Sequence, residues 1–347
     1  RSLSSAASDV YKRQTLYRSC KNKIMDLTLF YTIVGFGLAG WSVIANDSVQ
    51  TLGTFIASKS KWFKWYTLAA SASFMMAVVL IYGWWAYDGD ISFGRLTRIP
   101  YQEIQWYHAV APGILLLLTR VGIPVSTTFL VLSAFASTVV LEKMLLKSVV
   151  GYGLAAVAAY ICWIAISKFI NEKFDEVTTG WKISFWRNAV WVSSAYLWAA
   201  WLSHDVANIA VYLPRQLDIT LLLIVVTYFT ILLFYIFYIQ GGPIQKVVLD
   251  KTGTRYARSA TIINTIYAAV LYYFKELNDL PMSTTWVFVG LLCGRELAIS
   301  TMNKEYKFKY VFPLIGKDFV KMVFGLSVSV GIVLSIHYII IPTGFGL

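Results

Sequence analysis

Two polar stretches are the most informative parts of this sequence: ANDSVQ, residues 45–50, and SHDVAN, residues 203–208. Each stretch interrupts a long apolar run with a carboxylate, Asp47 in the first and Asp205 in the second. An ionisable side chain within a membrane-length apolar segment is costly and indicates a functional site by default. We therefore predict a hydrophobic protein with two polar sites inside it.

A second pair of motifs recurs at nearly the same spacing. PVSTT begins at Pro124 and PMSTT begins at Pro281, 157 residues later, while Asp47 and Asp205 lie 158 residues apart. Internal repeats of this kind reveal the architecture of a chain. Because two unlike motifs share one offset, the sequence predicts two copies of one structural unit.

The composition predicts a membrane protein. The 347 residues are 58% hydrophobic and only 14% charged, with a mean hydropathy of +0.62, whereas soluble domains carry about a quarter charged residues. The net charge of +12 does not indicate a nucleic-acid partner, because Lys and Arg stand in short stretches between apolar runs and not on one basic face. We expect the lipid bilayer to be the solvent.

Apolar runs of membrane-spanning length, about 20 residues each, fill most of the chain. We predict ten spans, near 26–56, 62–86, 103–120, 124–141, 145–170, 185–212, 217–240, 257–274, 281–299 and 316–341. The fold class is thus an all-α membrane protein with two five-span repeats. An odd number of spans inverts the second repeat, as is typical of secondary transporters. The first and sixth spans are long and polar, so we expect broken helices at mid-membrane.

The chain divides into four predicted segments. Residues 1–24 carry no apolar run and are expected to be a non-native tail or a disordered amino terminus. Residues 25–170 form the first repeat, residues 171–184 a cytoplasmic linker, and residues 185–347 the second repeat. Without the tail the net charge falls to +7, so part of the basic excess lies outside the predicted spans and loops.

The distribution of basic residues between loops predicts the orientation of the spans. From Met25 onward, eighteen Lys and Arg residues fall in loops on one side and six in loops on the other. The six are Arg95, Arg98, Lys143, Lys147, Arg215 and Lys275. The richer side is expected to face the cytoplasm, which leaves both termini of this multi-pass protein on the non-cytoplasmic side of the cell (inner) membrane.

The PVSTT and PMSTT strings predict half-helices that begin inside the membrane. Proline suits the first turn of a helix, and the N–H groups and positive dipole end found there attract anions. The hydroxyls of the strings add hydrogen-bond donors: Ser126, Thr127, Thr128, Ser283, Thr284 and Thr285. Hydroxyls in membrane helices also bond to the preceding turn or join helices, but recurrence at the repeat offset favours a site.

The two carboxylates require a positive partner if an anion binds beside them. They would repel the anion unless a cation or a proton intervenes, and neither motif pair contains a Lys or Arg. The consistent interpretation is a hard cation held by Asp, Asn and backbone oxygens, whose gradient drives anion entry. Protonated carboxylates would give the proton-coupled alternative.

These motifs resemble those of the inorganic phosphate transporters of the PiT type, a family that includes related sulfate permeases. Its hallmark, GANDVAN, occurs once per inverted repeat and is followed by a Pro-x-Ser-Thr-Thr-His pattern. The resemblance extends over both predicted repeats, from about Met25 to Leu347. It implies a symporter that imports inorganic phosphate with sodium by alternating access, without any other cofactor, and it is compatible with a homodimer.

The resemblance also implies which residues hold the ions. Asn46 and Asp47 match the first hallmark, and Asp205 and Asn208 match the second. In the family these residues are expected to bind the phosphate and the coupling cation at mid-membrane, together with the six hydroxyls of the two Ser-Thr-Thr strings. We therefore predict a substrate site shared between both repeats.

Four positions depart from the family pattern. Gln50 and His204 replace Asn residues of the two hallmarks, while Phe129 and Trp286 replace the His that follows each Ser-Thr-Thr. Gln50 and His204 are therefore predicted modulators of the site. For His204 two interpretations stand: a ring that titrates near neutral pH and carries a proton or donates to phosphate, or a neutral ring that replaces the Asn hydrogen bond.

The sequence also offers three alternatives to phosphate symport. The first is a sulfate permease of the same fold, and the second is a degenerate membrane protein that no longer transports. An enzyme is the third, because DKTGT at residues 250–254 resembles the phosphorylation signature of P-type ATPases. Those pumps need large cytoplasmic domains around that aspartate, whereas here it lies in a short loop, so we predict that the protein is not an enzyme.

Overall fold

The computed structural model describes residues 27–123, 125–136, 138–169, 181–249, 256–277, 282–302 and 308–343. Within these ranges every regular element is helical. The predicted tail, residues 1–24, lies outside the described residues, as do residues 171–180 of the predicted linker, residues 250–254, Pro124 and Pro281.

The first half of the chain contains long helices and two short 3₁₀ turns. The helices are α1, Leu27–Lys59, with a π-helical turn at Ile44–Ser48, α2, Trp65–Ala86, α3, Trp106–Arg120, α4, Thr127–Leu130, and α5, Thr138–Phe169. The 3₁₀ turns are Arg95–Arg98, between α2 and α3, and Leu132–Ala134, between α4 and α5.

The second half of the chain has a similar mixture of long and short helices. They are α6, Trp181–Asp205, α7, Ala207–Ala210, α8, Ile219–Tyr238, α9, Gln245–Leu249, α10, Ala257–Leu277, α11, Thr284–Met302, and α12, Phe308–Ser335. A π-helical turn at Ile336–Ile340 continues α12.

Five of the described helices are long and apolar enough to cross a bilayer. They are α1, α2, residues Val139–Ile166 of α5, α8, and residues Lys309–Ile340 of α12 and its π turn. Their outer faces carry large exposed apolar side chains, such as Phe74 on α2, Val157 on α5 and Leu223 on α8. Soluble proteins do not expose apolar surface on this scale. The chain is a multi-pass membrane protein.

Residues 124–170 fold differently from the prediction. The sequence predicts one span at 124–141 and another at 145–170, but α5 runs without a break from Thr138 to Phe169. Before it come only the short helix α4 and a 3₁₀ turn. Glu142 and Lys143, which suggested a loop, are good helix formers and lie within α5.

Helices α5 and α11 pack against each other along much of their length. Two glycines allow this approach: a Cβ atom on Gly290 would lie 2.3 Å from the carbonyl oxygen of Tyr152, and one on Gly294 would lie 1.9 Å from that of Ala156. Small residues four positions apart let the backbones of membrane helices come close. In the same bundle α6 packs on α10 and contacts the second half of α1, so the two helices with polar motifs are neighbours.

We expect Gly294→Ala to destabilise the protein, whereas Gly153→Ala does not. The methyl at position 294 would meet a backbone carbonyl that can move only if α5 and α11 separate, and overpacking of this kind costs about 1–3 kcal/mol. At Gly153, on α5, a Cβ atom has no neighbour within 4 Å, so alanine only improves helix propensity. Thermal unfolding of both variants in detergent measures the difference, and equal melting temperatures would contradict this packing.

Candidate functional site

The first carboxylate, Asp47, lies in the π-helical turn of α1. This turn, Ile44–Ser48, is continuous with helix on both sides, so the predicted break is a widened turn and not an unwound segment. Asp47 is 1% exposed. Single π turns within α-helices are frequent at functional sites, because the extra residue shifts the side chains that follow to a new face.

The second carboxylate, Asp205, is the last residue of α6. The helix is interrupted at Val206, and the short helix α7 follows. Asn208, in α7, donates from Nδ2 to Asp205 Oδ1 at 3.2 Å and to the hydroxyl of Thr127 at 3.0 Å. Asp205 and Asn208 are each 1% exposed. The second motif therefore reaches residues of the first half of the chain.

Each carboxylate accepts a hydrogen bond from the threonine string that follows it along the chain. Thr127 Oγ1 donates to Asp47 Oδ2, and Thr284 Oγ1 donates to Asp205 Oδ2, both at 2.5 Å. The two contacts are related by the 157–158-residue offset found in the sequence. Equivalent positions in the two halves of the chain thus make equivalent contacts.

The second threonine of each string crosses to the carboxylate of the other half. Thr128 Oγ1 lies 3.5 Å from Asp205 Oδ1, and Thr285 Oγ1 lies 3.4 Å from Asp47 Oδ1. Each of these hydroxyls also lies within hydrogen-bond distance of a backbone carbonyl in the opposite string, at 3.2 Å and 3.4 Å respectively, so its single hydrogen has two alternative acceptors. The exchange joins both halves of the chain in one network.

Asn46 and Gln50 support the first carboxylate from within α1. Asn46 Nδ2 donates to Asp47 Oδ1 at 2.7 Å and to the backbone carbonyl of Val125 at 2.5 Å. Gln50 Nε2 in turn donates to Asn46 Oδ1 at 3.1 Å. Gln50 therefore positions Asn46, and it acts on Asp47 through that side chain.

The serines of the two strings hold helix ends. Ser126 Oγ accepts from the backbone N–H of Phe129, and Ser283 Oγ accepts from that of Trp286, both at 3.3 Å. This is the usual N-cap contact, in which a side-chain oxygen satisfies a free N–H in the first helical turn. The two serines thus fix the start of α4 and the start of α11, on which the threonines stand.

Eight predicted site residues come together in one buried cluster. They are Asn46, Asp47, Thr127, Thr128, Asp205, Asn208, Thr284 and Thr285, and each is at most 3% exposed. The cluster combines carboxylate and amide oxygens, which suit a hard cation, with hydroxyl and amide hydrogens, which suit an oxyanion. Both kinds of ion therefore have complementary groups in the same place.

His204 points away from this cluster. Its Nε2 lies 2.7 Å from the backbone carbonyl of Leu271 on α10 and 3.5 Å from Nη2 of Arg95. A carbonyl only accepts, so Nε2 carries a hydrogen, and the neighbouring guanidinium opposes a second positive charge on the ring. Of the two interpretations of His204, this geometry favours the neutral ring. Its hydrogen bond joins α6 to α10, however, and does not support a carboxylate as Asn46 supports Asp47.

Arg95 is a neighbour of the site that the sequence did not predict. We counted it as a loop cation, but it is 1% exposed, and its Nε donates to the backbone carbonyl of Ser203 at 3.1 Å. Its guanidinium also interacts electrostatically with Asp205. Gly94, whose φ of +76° turns the chain just before Arg95, is the only local signal in the sequence, and it identifies a turn and not a buried charge.

The fold and the cluster define a class: an all-helical, multi-pass membrane protein with a buried cluster of carboxylates, amides and hydroxyls. Among solved structures, the chain is similar to one described as the sodium-dependent phosphate transporter, with a TM-score of 0.57 and 15% sequence identity, over 90% of this chain and 100% of that one. No protein-family model and no curated protein matches the chain. The predicted all-α membrane fold is confirmed, and the likeness agrees with the family that the motifs resemble.

Proposed function

We propose that this protein is a secondary active transporter that imports inorganic phosphate by symport with sodium. The observation that carries the proposal is the threonine–carboxylate network, in which Asp47 and Asp205 each accept hydroxyls from both Ser-Thr-Thr strings. A buried pair of carboxylates bonded in this symmetrical way is difficult to explain by stability alone, because buried charges are costly. A solved structure of the same fold is described as a sodium-dependent phosphate transporter.

The network suggests how cation and anion binding are coupled. A threonine hydroxyl has one hydrogen to donate, so Thr127 cannot donate to Asp47 and to phosphate at the same time. A sodium ion bound by the carboxylates, with the amide oxygens of Asn46 and Asn208, would neutralise them and release the hydroxyls. Phosphate would then accept those hydrogens, so the anion binds well only after the cation.

The paired contacts also suggest how the site is exposed to each side in turn. We assign residues 25–170 and 185–347 to two inverted repeats that are joined by a cytoplasmic linker, residues 171–184. In such folds one bundle rocks against the other around a fixed central site. The termini would lie on the non-cytoplasmic side of the cell membrane, and a homodimer is compatible with this arrangement.

Phosphate is favoured over sulfate because the cluster contains many hydrogen-bond acceptors. The monohydrogen phosphate ion carries a hydroxyl that donates to a carboxylate such as Asp47 or Asp205, whereas sulfate has no hydrogen to donate. Sites built to bond a ligand hydroxyl strongly reject analogues that lack it. The sulfate permease and the degenerate protein without transport therefore become outcomes of the test.

Uptake of labelled phosphate by proteoliposomes tests the proposal. We expect accumulation when an inward sodium gradient is imposed, little accumulation with a proton gradient alone, and weak competition by excess sulfate. Accumulation driven only by protons would replace sodium as the coupling ion, and preferential uptake of sulfate would replace phosphate as the substrate. The transporter assignment fails if neither anion accumulates under either gradient.

A further inference from the structure

A cavity of about 410 Å³ opens between the end of α1 and the start of α2, in a part of the protein separate from the carboxylate cluster. Two lysines, Lys61 and Lys64, line it together with the rings of Trp62, Trp65 and Tyr66. Trp62 is 64% exposed and Tyr66 is 46% exposed. The cavity thus combines exposed positive charges with aromatic walls that are open to the surroundings.

Two further cations stand beside this cavity. Lys59 donates from Nζ to the backbone carbonyl of Arg187 at 2.5 Å, and the guanidinium of Arg187 stacks on Trp62, 3.6 Å from the ring centroid. Within the described part of the chain, no carboxylate forms an ion pair with Lys59, Lys61, Lys64 or Arg187. The four charges therefore form a positive cluster whose anionic partner comes from elsewhere.

The position of the cavity along the spans indicates the source of that partner. Lys59 is the last residue of one membrane-spanning helix, Leu27–Lys59, and Trp65 is the first residue of the next, Trp65–Ala86. Span ends lie at the boundary between hydrocarbon and water, where Trp and Tyr collect in interfacial belts. The anions present in bulk at this depth are phospholipid headgroups, and basic pockets between membrane helices bind them.

We propose that this cavity binds the headgroup of an anionic phospholipid. Lys61 and Lys64 donate to its phosphate oxygens, and the rings of Trp62 and Trp65 pack against the glycerol and the first acyl carbons. Because α1 runs from the π turn at Asp47 to Lys59 without a break, the bound lipid anchors the far end of a helix that carries half of the buried cluster. The proposal does not depend on phosphate transport.

Lipid-dependent thermal stability tests this site. The melting temperature of the full chain in neutral detergent is followed while phosphatidylglycerol, phosphatidylcholine or inorganic phosphate is added. We expect phosphatidylglycerol to raise the melting temperature and phosphatidylcholine to leave it unchanged. The double variant Lys61→Gln/Lys64→Gln should need an about 30-fold higher phosphatidylglycerol concentration for the same shift, at about 1 kcal/mol per lysine.

The control removes the same charge at another exposed position. Lys309 and Lys317 lie on α12. The double variant Lys309→Gln/Lys317→Gln should respond to phosphatidylglycerol as the unaltered chain does. Equal weakening in both double variants would show a general charge effect and overturn the proposal, as would an equal shift with phosphatidylcholine. A shift by inorganic phosphate that Lys61→Gln/Lys64→Gln abolishes would assign the cavity to free phosphate instead.

Native mass spectrometry of retained lipid, repeated with Lys64→Gln alone, measures lipid binding without unfolding the protein.

Discussion

Asp47→Asn and Asp205→Asn are each expected to abolish sodium-driven phosphate uptake while the protein still folds and inserts. The amide has nearly the same size and keeps an oxygen that accepts from Thr127 or Thr284, so the local packing is conserved. It removes the negative charge that holds the cation. Loss of one partner from a buried charge pair costs about 3 kcal/mol or more, which corresponds to an affinity loss of about 100-fold.

Uptake into proteoliposomes of equal protein content measures this effect, and Asp88→Asn provides the matched control. Asp88→Asn is the same change of side chain at an exposed turn position. The φ of +51° at Asp88 suits Asn as well as Asp. The control should transport normally. Unchanged uptake in either cluster variant would remove that carboxylate from the coupling mechanism, whereas loss in all three variants would point to a general effect of the substitution.

The polar cluster could be predicted because its signals are local and occur twice. Carboxylates inside apolar runs are rare enough to indicate a site, and the common offset of the Asp and Ser-Thr-Thr motifs indicated that both belong to one repeated unit and contribute to one site. The crossed contacts of Thr128 and Thr285 could not be predicted in the same way. These contacts depend on how the two halves of the chain pack against each other. The spacing of motifs within one half does not determine that packing.

Other features escaped prediction for different physical reasons. Polar residues inside an apolar run are compatible with either a π turn or an unwound segment. The sequence therefore could not show which of the two occurs at Ile44–Ser48. Charged residues were interpreted as loop residues, which misplaced the start of α5. The same interpretation was wrong for Arg295, which we counted as a loop cation. Arg295 is 1% exposed and pairs with Glu296 at 2.8 Å. Arg295 also donates from Nη2 to Ser259 Oγ at 2.9 Å, and Arg95 donates to the carbonyl of Ser203; partners this distant in sequence cannot be identified from the residues around each arginine.

Arg95→Gln is expected to lower the stability of the protein, and the loss should depend on Asp205. The guanidinium is buried and bonded to the carbonyl of Ser203, two residues before the carboxylate with which it interacts. Removal of the guanidinium charge takes away part of the compensation of a buried carboxylate, and we expect a loss of about 1–3 kcal/mol, the range of coupling energies between interacting residues. Gln can still donate a hydrogen bond to the carbonyl, so the effect reports mainly on charge.

A double-mutant cycle separates this charge effect from a general loss of packing. If Arg95 compensates Asp205, Asp205→Asn should recover part of the stability lost in Arg95→Gln, with a coupling energy of about 1–3 kcal/mol. Asp47→Asn, which neutralises the carboxylate of the other half, is the matched control and should recover less. Melting temperatures in detergent give all the required values without any transport assay. Equal recovery by both substitutions would show that Arg95 acts on the whole cluster, and no recovery by either would reduce Arg95 to a packing residue.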